Sequence, residues 1–259
     1  METIPGIGDR MNKIEKIRKI SVVGIGPGTP AMLTAAARQA LAESEVIVGY
    51  DLYVELIAEV TVGKTVLSTP MKKEVDRCRM ALEHALEGHS VALVCSGDAG
   101  IYGMAGVMME VAAEHPEIQI DVVAGVTAAS SGAAVLGAPL GHDFAVISLS
   151  DLLTPWEIIV KRLRLAAEAD FAICLYNPSS QKRGHYLREA CGHLLQFKSP
   201  DTCCGYVRQI GRDGQSMTLC TLAELQHQTV DMFTTVFVGN SQSRVINGRL
   251  VTPRGYRGV

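Results

Sequence analysis

Along the first half of the chain, short unbroken apolar runs alternate with segments whose apolar residues recur every three or four positions. The runs are rich in β-branched residues and end in glycine or polar residues, as buried strands do. They are KISVVGIG (19–26), EVIVGY (45–50), VALVC (91–95) and IQIDVVAG (118–125). Because they lack apolar–polar alternation, we expect helices to cover both faces of their sheet.

The intervening segments predict helices with recognisable ends. In TAAARQALAES (34–44), Thr34 is suited to be the N-cap. In EVDRCRMALEHALEGH (74–89), Gly88 follows the last apolar position, where a C-terminal cap glycine belongs. The apolar face of this second helix consists of Val75, Cys78, Leu82 and Leu86. Strands and helices in alternation predict an α/β fold with a mostly parallel sheet.

The second half repeats the alternation with shorter elements. Predicted helices span 155–169 and 183–195, and the predicted strands are FAVISLS (144–150), FAICLYN (171–177), TCCGYVRQI (202–210) and DMFTTVFVGNS (231–241). The small-residue stretch 130–144 separates the halves. We therefore predict a leader at 1–19, an N-terminal α/β domain at 20–138 and a C-terminal α/β domain at 139–259, with a cleft between the domains.

Composition and net charge argue against several classes of protein. With 47% hydrophobic residues, 5% aromatic residues and a net charge of −3, the 259-residue chain resembles neither a nucleic-acid-binding protein nor a disordered one. Apolar runs stay below 18 residues, so we expect no membrane span. Seven cysteines without a CxxC spacing indicate reduced thiols, hence a cytoplasmic protein without a zinc site. Residues 141–259 carry 13 basic and 10 acidic side chains; this surplus is explained either by solvated surface charges or by contact with an anionic ligand.

Glycine-rich turns follow three predicted strands: GIGPGTP (24–30), SGDAGIYG (96–103) and GVTAASSG (125–132). Parallel sheets bind ligands at the carboxyl ends of their strands, where glycine lets a ligand touch the backbone. Tight strand-to-helix turns would also explain the glycines, but three such turns on one sheet edge favour a ligand.

The ligand does not resemble a dinucleotide. In GxGxxG, Gly24 and Gly26 fit, but Thr29 replaces the third glycine and Pro27 removes an N–H. The phosphate-loop motif is not matched either: GKT occurs at 63–65, but Ala58 stands where the motif requires its first glycine. A nucleoside with a zwitterionic tail fits better.

The ordered series VVGIGPG, SGDAGIYG, GVTA and YNP resembles the tetrapyrrole (corrin/porphyrin) methyltransferases, which are class III S-adenosylmethionine enzymes, over residues 20–248. Within that family, IVGYDLYVELI, SGDAGIYGMAG, YNPSSQKR and especially SLSDLLTPWE are similar to members that act at ring carbon 17 of precorrin-3B or cobalt-factor III. The resemblance implies a cytoplasmic homodimer of cobalamin biosynthesis. Its members use S-adenosylmethionine to methylate carbon 17 and also contract the tetrapyrrole ring.

The resemblance also implies site residues. Those that match cofactor-binding positions are Gly26, Pro27, Gly28, Ser96, Gly97, Asp98, Ile101, Tyr102, Thr127, Ala128, Tyr176, Asn177 and Ile210. Ser96 departs from the family's GGD turn. Thr29 replaces the aspartate that follows GPG in uroporphyrinogen-type members, which speaks against that substrate.

Methyl transfer from a sulfonium requires mainly that the methyl group and the ring carbon be held in line. This requirement accounts for a sequence without a catalytic triad or metal motif. Asp98 is a candidate to hold the cofactor's ammonium group, or else an Asx-turn residue. Ring contraction needs a base or hydrogen-bond donor, for which His142, Ser148 and Ser150 are candidates beside plain structural roles. Candidates for contacting the carboxylate-rich substrate are Trp156, Lys182, Arg183, Arg208 and Arg212, although Trp156 also suits packing and the others suit a solvated surface.

Three alternatives stay open at this point. The chain could methylate another ring carbon without contraction, act as a nicotinamide oxidoreductase, or carry a tetrapyrrole without catalysis. The sequence does not decide between a cobalt-containing and a metal-free substrate, and therefore between the anaerobic and oxygen-dependent routes.

Overall fold

The computed structural model describes residues 18–180 and 183–257. Most of the predicted leader therefore lies outside the described residues, and Lys19 already belongs to the first strand. None of the helices among the described residues is long and apolar enough to cross a membrane. All seven cysteines are free thiols, as their spacing predicts.

The first sheet is fully parallel, with strand order β3-β2-β4-β1-β5. Its strands are β1 (Lys19–Gly24), β2 (Val46–Tyr50), β3 (Thr65–Thr69), β4 (Val91–Cys95) and β5 (Gln119–Val123). The three central strands are buried on both faces, as their unbroken apolar runs predict. The edge strands β3 and β5 are partly exposed, and sequence reasoning missed β3 because TVLST is short and half polar.

Helices cover both faces of this sheet. They are α1 (Ala35–Glu43), α2 (Asp51–Glu55), α3 (Glu74–Leu86) and α4 (Ala105–Val111). Val22 packs on one face with α3 and α4, whereas Val23 packs on the other face with α1. The predicted caps are present: Thr34 Oγ1 accepts from Ala37 N at 3.0 Å, and Gly88 has φ +92° just beyond α3. Val75 is 42% exposed, because it lies in the first turn of α3, away from the core that the rest of its face contacts.

The second sheet is mixed, with order β10-β9-β11-β8-β7. Its strands are β7 (Phe144–Ser148), β8 (Ala172–Tyr176), β9 (Cys203–Arg208), β10 (Ser216–Thr221) and β11 (Thr234–Val238). Only β7 and β8 pair in parallel among its described strands. A small third sheet joins β6 (Gly137–Ala138), β12 (Arg244–Ile246) and β13 (Arg249–Val251).

Helices again cover both faces of the second sheet. On one face lie α6 (Trp156–Glu168), α7 (Tyr186–Leu194) and α8 (Leu222–Leu225). On the other face lies α5 (Ala128–Leu136), whose Leu136 packs with Cys174 and Phe237. The first half of the stretch interpreted as a domain boundary thus belongs to α5, and α5 packs on the second sheet although it precedes residue 139. The division at 138/139 itself stays a prediction.

Candidate active site

The loops after β1, β4 and β5 pack on one another at the carboxyl end of the first sheet. A Cβ atom at Gly125 would lie 2.1 Å from the carbonyl oxygen of Gly97, and one at Gly24 would lie 2.7 Å from the same oxygen. Gly26 and Gly97 exchange two backbone hydrogen bonds, of 3.0 and 2.9 Å. These glycines are therefore required for backbone-to-backbone packing, which holds the loops that surround the site.

Asp98 ties two of these loops together. One carboxylate oxygen accepts from the N–H groups of Gly100 and Ile101 at 2.8 and 3.1 Å, and the other accepts from Gly125 N at 3.0 Å. The Asx-turn interpretation thus describes its observed contacts. With three backbone donors already in place, its main effect is to hold the rim of the sheet rather than to present an unpaired charge.

Two tyrosines connect this rim to the second sheet. Tyr176, at the end of β8, accepts a hydrogen bond from Ala129 N at 2.6 Å and also bonds the Thr127 hydroxyl. Tyr102 has φ +53° and donates to Val146 O at 3.1 Å while accepting from Ser148 N at 3.2 Å. The Val146 carbonyl and the Ser148 N–H both point away from β8. The Tyr102 hydroxyl therefore occupies the free edge of the second sheet.

A third connection joins the loop after β9 to the loop after β1. Arg212 Nε donates to Pro27 O at 3.1 Å, and its guanidinium lies 5.6 Å from the ring centre of Phe233. Gly28 is needed for this approach, because a Cβ there would lie 2.5 Å from Arg212 Cγ. The two sheets are thus held together around a shared opening.

That opening is a cavity of about 200 Å³, called the rim cavity below. Predicted cofactor residues that line it are Pro27, Ser96, Gly97, Asp98, Ile101, Tyr102, Thr127, Ala128, Tyr176, Asn177 and Ile210. Gly26 and Gly28 do not line it and instead support Pro27 from either side. The lining residues that sequence reasoning missed are Tyr53, Gln209, Met232, Phe233, Thr234 and Thr235.

The lining of the rim cavity suits a nucleoside without phosphates. Apolar side chains such as Ile101, Ile210 and Phe233 stand beside amide and hydroxyl groups. Arg212 is the one cation among the described lining residues, and Pro27 and Phe233 already contact it. Burial raises the pKa of Tyr176 to about 12, so its hydroxyl stays protonated and neutral at physiological pH. A pyrophosphate would find little compensating charge here, whereas an adenosine and an amino-acid tail find apolar walls and backbone groups.

The three candidates for ring contraction occupy different places. Ser148 lies beside the cavity: its Oγ accepts from Asn177 Nδ2 at 2.9 Å and from Ser150 N at 3.2 Å. Ser150 Oγ accepts from Arg183 at 2.7 Å. His142 precedes β7, so the length of that strand, about 13 Å or more, separates it from Ser148. The structure does not bring His142 to the site; its Nδ1 instead accepts from Asp143 N at 2.8 Å.

The substrate candidates are also dispersed. Arg212 lines the rim cavity, whereas Arg208 is paired with Asp231 at 2.6 Å outside it. Arg183 lies near the carboxyl ends of β7 and β8, where it contacts Ser150 and also Asp151 at 3.4 Å. Lys182 lies outside the described residues.

Trp156 belongs to the packing of the second sheet's helices. Its ring stacks on Tyr186 at 4.2 Å between centroids, and its Nε1 donates to Glu189 at 2.7 Å. The same Tyr186 donates to Asp151 at 2.7 Å. The packing alternative for Trp156 is therefore observed, and its direct contact with substrate stays a prediction. Through Tyr186, Trp156 also supports the Asp151–Arg183 pair.

The missed lining residues come from places where sequence patterns carry little signal. Met232 and Phe233 belong to a run interpreted only as strand, and they precede β11, which starts at Thr234. Gln209 has φ +49°, which turns the chain toward the cavity just after β9. For Gln209 alone, the signal that revealed the glycine turns was available, because this residue also follows the end of a strand. The antiparallel placement of β11 is what brings the start of that strand to the same edge.

Comparisons with known proteins show which family the chain resembles. The sequence profile described as Tetrapyrrole (Corrin/Porphyrin) Methylases matches residues 19–226. A probable cobalt-factor III C(17)-methyltransferase of Salmonella typhimurium is 47% identical over 238 residues, which cover 92% of this chain and 99% of that protein. A precorrin-3B C(17)-methyltransferase of a Sinorhizobium species is 37% identical over 247 residues, covering 92% and 97%.

Solved structures share the architecture. The crystal structure of the methyltransferase CobJ has a TM-score of 0.85 and 40% identity, and the match covers 90% of this chain and 99% of that one. A uroporphyrin-III C-methyltransferase of Thermus thermophilus, complexed with S-adenosyl homocysteine, has a TM-score of 0.69 and 22% identity over 85% and 97% of the two chains. The latter likeness shows the α/β fold alone.

Proposed function

The chain belongs to the tetrapyrrole (corrin/porphyrin) methylase family, and from that membership we propose that it methylates ring carbon 17 of a cobalamin precursor. It is an S-adenosylmethionine-dependent C-methyltransferase. The single observation that carries the proposal is the rim cavity, which brings the predicted cofactor turns against the ends of β8 and β9.

S-adenosylmethionine, when bound, supplies a methyl group made electrophilic by its sulfonium. The residues that would hold it are the backbone of Ser96–Asp98, the Thr127–Ala128 start of α5, and the apolar walls at Ile101 and Ile210. These groups are already fixed by Asp98 and by the glycine contacts. Such fixed surroundings supply catalysis through orientation, because little conformational freedom is left to lose when the reactants meet.

Ring contraction is the finer part of the proposal. Ser148 Oγ already accepts hydrogen bonds from Asn177 and Ser150, so its own proton is directed elsewhere and is available to a ring oxygen. Ser150 and Arg183 extend the same network. We assign Ser148 as the hydrogen-bond donor for contraction and withdraw His142 from that role.

Cobalt-factor III is the preferred substrate in this proposal. The relative that carries that name is 47% identical, compared with 37% for the precorrin-3B enzyme, and both matches cover nearly the whole of each chain. By the same reasoning from family resemblance, we propose a homodimer that works in the cytoplasm. Arg183 and Arg212 are proposed to pair with substrate carboxylates from the ends of β8 and β9.

The test is incubation of the protein with methyl-labelled S-adenosylmethionine and either cobalt-factor III or precorrin-3B, followed by mass spectrometry and NMR of the product. We expect one labelled methyl at carbon 17 and faster turnover of the cobalt compound. A label at another carbon would refute the assignment of the position. Pigment binding without label transfer would indicate a carrier, and thermal stabilisation by NAD(P) but not by S-adenosylhomocysteine would indicate an oxidoreductase.

A pair of variants tests the substrate contact. Arg183→Gln removes the charge beside Ser150, and we expect a higher KM for the tetrapyrrole with unchanged affinity for S-adenosylhomocysteine. Arg79→Gln is the matched control, because Arg79 is an exposed arginine on α3 whose nearest acidic partner, Asp76, is 3.9 Å away. Equal KM values for the two variants would remove Arg183 from the substrate site.

A further inference from the structure

The C-terminal end of α3 brings two histidines together. Gly88, with φ +92°, reverses the chain just beyond the helix, and His89 N then donates to the carbonyl oxygen of His84 at 3.1 Å. The two imidazole rings lie 6.0 Å apart between centroids. The sequence HALEGH thus places two nitrogen ligands on one side of a single turn.

Two carboxylates flank these rings. Glu87 Oε2 lies 3.2 Å from His84 Nδ1, and Glu45 Oε2 lies 3.8 Å from His89 Nδ1. Glu45 is held in place because its carboxylate accepts from Ser90 N at 2.9 Å. Sheet topology explains the meeting: Glu45 precedes β2 and Ser90 precedes β4, and these strands are neighbours.

The distances suit a small divalent ion. One ligand atom each from His84, Glu87 and His89 lie within 4.8 Å of one another, and within the described ranges no other three histidine, cysteine or acidic residues form such a group. Zinc bonds to nitrogen and oxygen are about 2.0–2.2 Å long, so the ligand atoms of a tetrahedral site are roughly 3.3–3.6 Å apart. The Glu87 side chain is 64% exposed, so its carboxylate has room to rotate toward the two imidazoles.

His84 provides a second, independent observation in favour of a metal site. Its Nδ1 is inaccessible to solvent and has no hydrogen-bond partner among the described residues, because the Glu87 oxygen is near but poorly aligned. An unpartnered ring nitrogen beside a carboxylate and a second imidazole is a preformed half of a metal site. The carbonyl end of α3 also favours a cation at this position.

We propose that His84, Glu87 and His89 bind one divalent transition-metal ion of the zinc class, with Glu45 orienting His89. Mixed imidazole and carboxylate ligands select such ions over Mg²⁺, which prefers oxygen and water. Residue 91 begins β4, and the rim cavity lies beyond its other end at Cys95, so the ion has no part in methyl transfer. It joins the end of α3 to the starts of β2 and β4 and stabilises the fold. This inference does not depend on the proposed function.

Tag-free full-length protein is titrated with ZnCl₂ by calorimetry, and its melting temperature is measured with and without zinc. We expect one ion per chain and a higher melting temperature, with MgCl₂ giving neither. His84→Gln and His89→Gln should each weaken zinc binding by about tenfold or more, and Glu87→Gln should weaken it as well. His115→Gln is the matched control, because His115 Nδ1 also lies 3.2 Å from a single glutamate, Glu117.

Three results would overturn the proposal. The first is unchanged zinc affinity in the His84→Gln/His89→Gln double variant while that variant still melts cooperatively. The second is a thiolate-to-metal charge-transfer band on Co²⁺ addition, which would place the ion on cysteine. Equal loss of affinity in His115→Gln would likewise reduce the effect to general surface binding and refute a built site.

Discussion

Replacing Gly125 with alanine places a methyl group where the structure has no room for one. The new Cβ would lie 2.1 Å from Gly97 O and 2.5 Å from Gly24 O, whereas real Cβ atoms essentially never come closer than 3.0 Å. Relief requires the Gly97 carbonyl to move by about 1 Å, a scale at which cores resist overpacking. That carbonyl also accepts from Gly26 N at 3.0 Å, so the movement strains or breaks this bond.

The cost follows from these two effects. Overpacking costs about 1–3 kcal/mol and the lost hydrogen bond about 0.5–1.5 kcal/mol, so we expect the free energy of unfolding to fall by roughly 2–4 kcal/mol. Because Gly97 lines the rim cavity, a displacement of about 1 Å should also lower methyl transfer by on the order of a hundredfold.

Urea unfolding measures the first effect, and calorimetric binding of S-adenosylhomocysteine together with single-turnover methyl transfer measures the second. Gly106→Ala is the control: a Cβ there meets nothing within 4 Å, and alanine in α4 should stabilise the protein by about 0.5–1 kcal/mol. If Gly125→Ala unfolds at the same urea concentration as the native protein and binds the cofactor equally well, the packing interpretation of the glycine turns is wrong.

Three further variants test the connections around the rim cavity. Asp98→Asn turns an amide donor toward one of its backbone N–H partners, so the free energy of unfolding, measured with urea, should fall by about 1–3 kcal/mol. Calorimetry should also show weaker binding of S-adenosylhomocysteine. Tyr102→Phe removes both hydrogen bonds to the edge of β7, and hydrogen exchange should show faster opening of that strand at a cost of about 1–2 kcal/mol; unchanged exchange would contradict the bridge. Burial raises the pKa of Tyr176 from 10.0 to about 12, so the stability it contributes is full below pH 10 and is lost as pH rises toward 12. Stability curves of Tyr176→Phe should therefore fall less steeply than the native curve between these pH values, and parallel curves would contradict the assignment.

Local signals in the sequence were sufficient for four of the five strands of the first sheet. The unbroken apolar runs, the Thr34 cap and Gly88 each predicted a feature that the structure contains, because each depends on neighbours only a few residues away. β3 was missed because Thr65, Ser68 and Thr69 give it no apolar run, and pairing with β2 makes the strand instead.

The second sheet depended on contacts that no local pattern encodes. The antiparallel pairs that β11 makes with β8 and β9 join strands that are distant in sequence. The pairing of β11 with β8 brings Phe233 to the same opening as Tyr176. The turns of the first sheet could be located because strand ends in a parallel sheet share one edge. The packing alternative for Trp156 could be foreseen, but its partners Tyr186 and Glu189 could not, since they lie on another helix.

The backbone contacts among Gly24, Gly97 and Gly125 have a consequence for protein engineering. Where main chain rests on main chain, an added side chain displaces the backbone and lowers the stability of the protein, so these glycine turns leave little room for redesign. Variation in what the enzyme accepts must come from the opposite wall, where Gln209, Met232 and other side chains can change size without displacing a neighbouring backbone. A campaign to vary what the rim cavity accepts should therefore randomise Gln209, Met232 and Phe233 and leave the glycine turns intact.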